Sequence, residues 1–292
     1  MQYDNYKVRA VLRWIDGLNH QGTKRVGVPA LFGMNFQTVS TAEKLKTSDG
    51  LNGGYLPGTT TPGPLLVRAL QYLNDQVGRM VNEIKRRSLE SSTAIIISAK
   101  HGQSPQNPNQ LTRIDDTPII NGANAVCGQN GKPIVAFGTD DDAIMWWLTN
   151  TSQASASCVR NYLWGHPATG VTYSGGSRTL QHSGLRKIYT GQAAATYFGV
   201  PKSDPRHPDV WGVVHVGVVY TTGTKIAEHG GANPEDRDVP ILVYAPGAVA
   251  PGSHSESVET TQIAPTILHL LGLNPNELQA VRIEGTKILP GS

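Results

Sequence analysis

A chain of 292 residues with 38% hydrophobic and 16% charged residues can bury a sizeable core, which excludes a disordered protein. The net charge of +3 is small and the Lys and Arg residues are scattered, so the sequence lacks the basic face that binding to a nucleic-acid polymer requires. No stretch approaches the roughly 20 uninterrupted apolar residues of a membrane span, so no such span is expected.

The first element predicted is a helix, with Val11, Leu12 and Ile15 at helical spacing and Gly17 as its stop. "RVGVPALFGMNF" (25–36) reads as a short apolar strand whose end opens into polar residues. A long helix follows, with Thr61 as cap and Pro62 in its first turn. Leu66, Leu70, Leu73, Val77, Met80, Val81 and Ile84 form its apolar stripe, and "KRRS" (85–88) puts cations at its negative end. "TAIIIS" (93–98) is apolar along both faces, as strands of a central parallel sheet are. Strand, helix and strand then make one βαβ crossover.

From Gly102 to about Pro208 the pattern weakens into Pro, Asn, Gly, Ser and Thr, broken by an expected helix "DDAIMWWLTN" (141–150). Residues 103–208 read as an insertion or cap on a single domain spanning 1–292. Cys127 and Cys158 form one bridge or stay as two small buried hydrophobes; both alternatives are open. Asn150-Thr151-Ser152 matches the glycosylation pattern, and the low charge leans towards secretion. Regularity returns in a strand over 210–222, turning at Gly217, and a buried strand over 239–247. The last helix is "TTQIAPTILHLLGL", capped by Thr260 or Thr261 and stopped by Gly272, with Ile263, Ile267, Leu270 and Leu271 pointing inward. The sum is an α/β architecture.

Ligands of open α/β sheets bind beyond the carboxyl ends of the strands. That rule selects three loops, "GMNFQTVS", "AKHGQSP" and "KIAEHGG". Two of them carry a His-Gly pair, His101-Gly102 and His229-Gly230, where glycine lets the backbone turn sharply beside a ligand. A single histidine is usually a packing residue, but two such loops at one sheet edge point to a shared site.

At these residues the chain resembles the alkaline phosphatase superfamily, and within it the type I phosphodiesterase/nucleotide pyrophosphatase group. The segment from "GPLLVRALQYL" through "STAIIISAKHGQSP" resembles the helix, strand and Asp-His-Gly loop of that family. "TKIAEHGGANPEDRDVPILVYAPG" resembles its late His-Gly loop, and "ETTQIAPTILHLLGLNP" with "LQAVRIEGTKILPG" its closing helix and tail. The resemblance implies a three-layer sandwich around a mostly parallel central sheet with a long irregular insertion. It implies a metal-dependent hydrolase of phosphate esters, with a Thr or Ser nucleophile and usually two zinc ions.

Carried over residue by residue, His101 and His229 are metal ligands, and His101 with Lys100 is catalytic. Lys100 replaces the family's aspartate, and Asn35 and Gln37 stand where an Asp-x-x-x-His pair is expected. One divalent cation, zinc first, is therefore expected in place of two, with Asn35, Gln37 and Lys100 binding a small anionic phosphate ester. Glu228 has two readings, a ligating or orienting group and, ahead of it, a solvated loop carboxylate, and Asp236 and Asp238 read as stabilisers of the following turn. The chain is expected to lack the family's N-terminal nucleophile segment, which would leave an apolar sheet edge for a homodimer to cover. The competing reading is a non-catalytic relative that keeps an anion-binding groove.

Overall fold

The computed structural model describes all 292 residues. They form two compact units, one of Met1–Val39, Ala69–Lys100 and Val239–Ser292, the other of Ser40–Arg68 and His101–Asp238.

In the first unit, the helix Gln2–Ile15 buries Val8, Val11 and Ile15 on one face, and Gly17 ends it at a φ of +75°. That face packs on Met80 and Ile84 of the helix Pro64–Arg86, with Phe32, Met34, Phe36 and Ile95 around it. The long helix starts two residues later than its predicted proline, with Pro64 at the first position, where a missing N–H costs nothing. The predicted strand over 25–36 does not form. The isolated bridge of Arg25 to Leu18 is its sole pairing. Gly27 at a φ of +84° and Pro29 interrupt it, so its aromatic end packs against the helix without a ladder partner.

The strand Ile95–Ser98 pairs antiparallel with Ile241–Tyr244, Ile97 opposite Leu242. Ile95, Ile96 and Ile97 are half-buried and Leu242 is 57% exposed, so neither strand has the two covered faces that its composition suggested. Toward the C-terminus, the helix Ile263–Leu270 is preceded by a short 3₁₀ turn at Thr260–Gln262 and stopped by Gly272. Thr266 is buried there, its hydroxyl accepting from Leu289 N at 2.8 Å, whereas Leu271 is exposed.

The second unit holds two four-stranded sheets. One runs Val135–Asp140, Ala143–Leu148, Val210–Val214, Leu185–Thr190 in spatial order, all antiparallel. The other has Val218–Tyr220 parallel to Thr112–Ile114, followed antiparallel by Ala168–Thr172 and Ser177–Leu180. The architecture is mixed α/β with small, mixed sheets. The parallel pairing of Val218–Tyr220 with Thr112–Ile114 is the only one between strands, where a mostly parallel central sheet was expected.

The helix expected over 141–150 is the strand Ala143–Leu148. Its Ile144, Trp146 and Leu148 are buried while Met145 and Trp147 are half-buried, which is the period of two of a pleat. Trp146 enters a core with Val159, Leu163, Leu185 and Val210. The helices Thr117–Cys127 and Gln153–Gly165 cover that core, and a Cys127–Cys158 disulfide ties them together. Gly217, at a φ of +90°, breaks the predicted long strand into two, and a Cβ there would collide with Gln110 O.

Candidate functional site

The two His-Gly loops meet inside the second unit. Ser104 N donates to Glu228 O and Glu228 N to Ser104 O, each at 2.9 Å, so the loops pair as an isolated antiparallel bridge. Gly102 N donates to Asp236 O at 2.8 Å, and a Cβ on Gly102 would overlap the carbonyl of Glu235. Glycine is required there because two backbones touch. The pairing brings the rings of His101 and His229 to a centroid separation of 4.1 Å, tilted by 46°. His101 Nδ1 lies 2.8 Å from Gly102 O, which can only accept, so Nδ1 carries the proton and Nε2 the lone pair of the neutral ring.

Carboxylates surround the two rings. Glu228 is 2% exposed, not the solvated loop residue that its place in the sequence suggested. Its Oε1 is bonded by Lys44 Nζ, and its Oε2 accepts from Lys225 Nζ at 2.6 Å. Burial pushes the Glu228 carboxyl up, but the two ammoniums outweigh it and hold the group below its ordinary value. One ligand atom from each of Asp141, Glu228 and His229 lies within 4.8 Å of the others. Asp141 sits at the turn between the strands Val135–Asp140 and Ala143–Leu148, and its carboxyl is raised by burial and by the Glu228 charge.

Behind this group lies a buried acidic pair. Asp142 accepts from Ser104 Oγ at 3.0 Å, and Asp236 from Asn233 N at 3.1 Å. Burial and then the charge of Asp236 raise Asp142 well above the usual carboxylate range, and burial raises Asp236 in turn. Asp236 also closes a capping box with Asn233 on the short helix Pro234–Arg237, the turn-stabilising role expected from sequence. Beside the pair, Gln103 bonds Glu43, which burial raises, and Tyr55 is pushed up to about 12 by burial and by Glu43.

Of the residues singled out from sequence, His101 and His229 are brought together. Lys100 is the last residue of the first unit; it is exposed and forms no hydrogen bond or ion pair. Asn35 and Gln37 belong to the first unit. Asn35 Oδ1 accepts from Lys7 Nζ at 3.2 Å, and Gln37 N donates to the Asp4 carboxylate at 2.9 Å. Sequence reasoning missed Asp141, Asp142, Lys44 and Lys225 as neighbours of the two histidines. For the aspartates the signal was the run Asp140-Asp141-Asp142 at a hairpin turn, concealed by an apolar run that read as helix.

The donor set fits one divalent cation. Asp141, Glu228 and His229 offer the mixed oxygen and nitrogen ligands that zinc accepts. The Lys225 side chain is 48% exposed and free to swing away from Glu228, whereas Lys44, at 17%, stays.

The chain matches no protein-family model and no curated protein sequence. Solved structures do match. Murine ectonucleotide pyrophosphatase/phosphodiesterase 5 aligns over 93% of this chain and 60% of its own, at 15% identity and a TM-score of 0.59. The human form aligns over 81% of this chain and 58% of its own, at 14% and 0.51. Alkaline phosphatase PafA aligns over 72% of this chain and 41% of its own, at 16% and 0.51. The fold is alkaline-phosphatase-like. The chain spans 60% or less of the length of each of these three relatives in fold.

Proposed function

We propose that this chain is a metal-dependent hydrolase of phosphate esters, working with one divalent cation, zinc in the first instance. The observation that carries the reading is the backbone pairing of the two His-Gly loops, which places His101 against His229 beside Asp141 and Glu228. His229, Asp141 and Glu228 would hold the cation, which supplies charge neutralisation on a phosphoryl group when bound. His101, its Nε2 carrying the lone pair, is the group beside that site able to ligate or to accept a proton. A homodimer through the edge of the two-stranded sheet, where Leu242 is exposed, belongs to the same proposal.

A second reading has its own support. Both oxygens of Glu228 already accept from ammonium groups, so the charge of this carboxylate is compensated without a metal. A non-catalytic chain that binds anions would keep it. Two measurements separate the readings: elemental analysis after zinc loading, and hydrolysis of a p-nitrophenyl phosphate diester and monoester with added zinc. The hydrolase reading expects one bound zinc per chain and turnover lost in both His229→Ala and His101→Ala. A metal-free chain with turnover no higher than that of His101→Ala would refute it.

A further inference from the structure

We infer that Asn150 is the acceptor of an N-linked glycan, carried on the surface of the second unit. Asn150-Thr151-Ser152 is the single Asn-x-Ser/Thr sequence of the chain, with no proline between. The fold places it in the link between the strand Ala143–Leu148 and the helix Gln153–Gly165, with Thr151 and Ser152 exposed. A second, independent observation is the Cys127–Cys158 disulfide, which leaves no free thiol in the chain. Disulfides form and persist in oxidising compartments such as the lumen of the endoplasmic reticulum, where N-linked sugars are also attached. The bridge pins Cys158 in the same helix that begins two residues after Thr151.

The local geometry suits a glycosylated turn. Thr149 N donates to Ile134 O at 2.9 Å and Thr149 Oγ1 to Pro133 O at 2.8 Å, so the stem before Asn150 is fixed to the fold. Asn150 is half-buried, and its Oδ1 accepts from Ser152 N at 3.0 Å, an Asx turn that leaves the amide nitrogen outside that bond. That nitrogen has one long contact, 3.3 Å to Gln129 Oε1 in an exposed setting, which rotates away without moving the backbone. Transfer forms a bond from Nδ2 to the anomeric carbon of an oligosaccharide linked to a lipid diphosphate. The anomeric C–O bond breaks, the lipid diphosphate leaves, and one amide proton is released. Ser152 has two duties here, since its hydroxyl completes the acceptor sequence and also caps the following helix by accepting from Ser155 N at 3.3 Å.

The test is intact-mass measurement of the protein purified from its own cells, before and after digestion with a peptide-N-glycosidase. Asn150→Gln and Ser152→Thr are expressed in the same cells. The wild type should lose mass on digestion, Asn150→Gln should show no loss, and Ser152→Thr, which keeps both hydroxyl roles, should lose mass as the wild type does. Peptide mapping of the wild type locates the sugar on the segment containing Asn150 even if Asn150→Gln does not accumulate. A wild-type chain with the Cys127–Cys158 bond formed and no mass loss overturns the inference. So does a mass loss that persists in Asn150→Gln.

Discussion

Asp4→Asn probes how the first unit fixes the segment that carries Asn35 and Gln37. Asp4 is 1% exposed and sits in the first turn of the helix Gln2–Ile15. Its carboxylate accepts from Gln37 N at 2.9 Å, from Thr38 N at 2.8 Å and from Thr38 Oγ1 at 2.6 Å, and Lys7 Nζ lies 2.9 Å away. Burial alone would raise the group. The hydrogen bonds outweigh burial and lower it from 3.8 to about 2. That difference corresponds to about 2 kcal/mol of stability favouring the folded, ionised state. Because the folded value is the depressed one, the contribution is complete above 3.8 and fades as pH falls through about 2. An amide in place of the carboxylate keeps one acceptor oxygen and turns its nitrogen towards donors. Urea unfolding followed by tryptophan fluorescence should therefore find Asp4→Asn less stable by about 2 kcal/mol near neutral pH, with the gap shrinking in acid. An equal gap at both pH values would refute the reasoning, as would an Asp4 titration observed by NMR at its ordinary value.

Glu228→Gln should cost about 2 kcal/mol near neutral pH, because it strips a buried carboxylate from the half-buried Lys44. The folded value of Glu228 lies below its unfolded one, so wild type and variant should converge as acid protonates the carboxylate; melting curves that coincide at neutral pH would contradict this. Cys127 and Cys158 are 31 residues apart, and opening their bridge should lower stability by about 3.5 kcal/mol through the freed chain entropy. Urea midpoints measured with and without a thiol reductant check it, and identical midpoints would show that the bridge constrains nothing.

The helices near the two ends of the chain and the long one over 64–86 were legible because a helix writes its buried face into residues three and four apart. The His-Gly pairs were legible for a similar reason, since a histidine and the glycine that lets its loop turn are adjacent in sequence. The strand Ala143–Leu148 was not, because six apolar residues in a row satisfy either period. Its pleat is visible only once Trp146 is buried and Trp147 is not. Nor did the extended segment over 25–36 become a strand, since a ladder needs a partner that no local pattern supplies. Sequence alone left the cysteines as a pair or as two thiols; their bridging follows from two helices packing on one core. The same holds at the site. Glu228 and Asp141 acquire their meaning from burial and from Lys44 and Lys225, and proximity between residues so distant along the chain is a property of the folded molecule. Residue types and turn chemistry are local and were set by the sequence, whereas the electrostatics of the site arise from long-range packing and were decided by the tertiary structure.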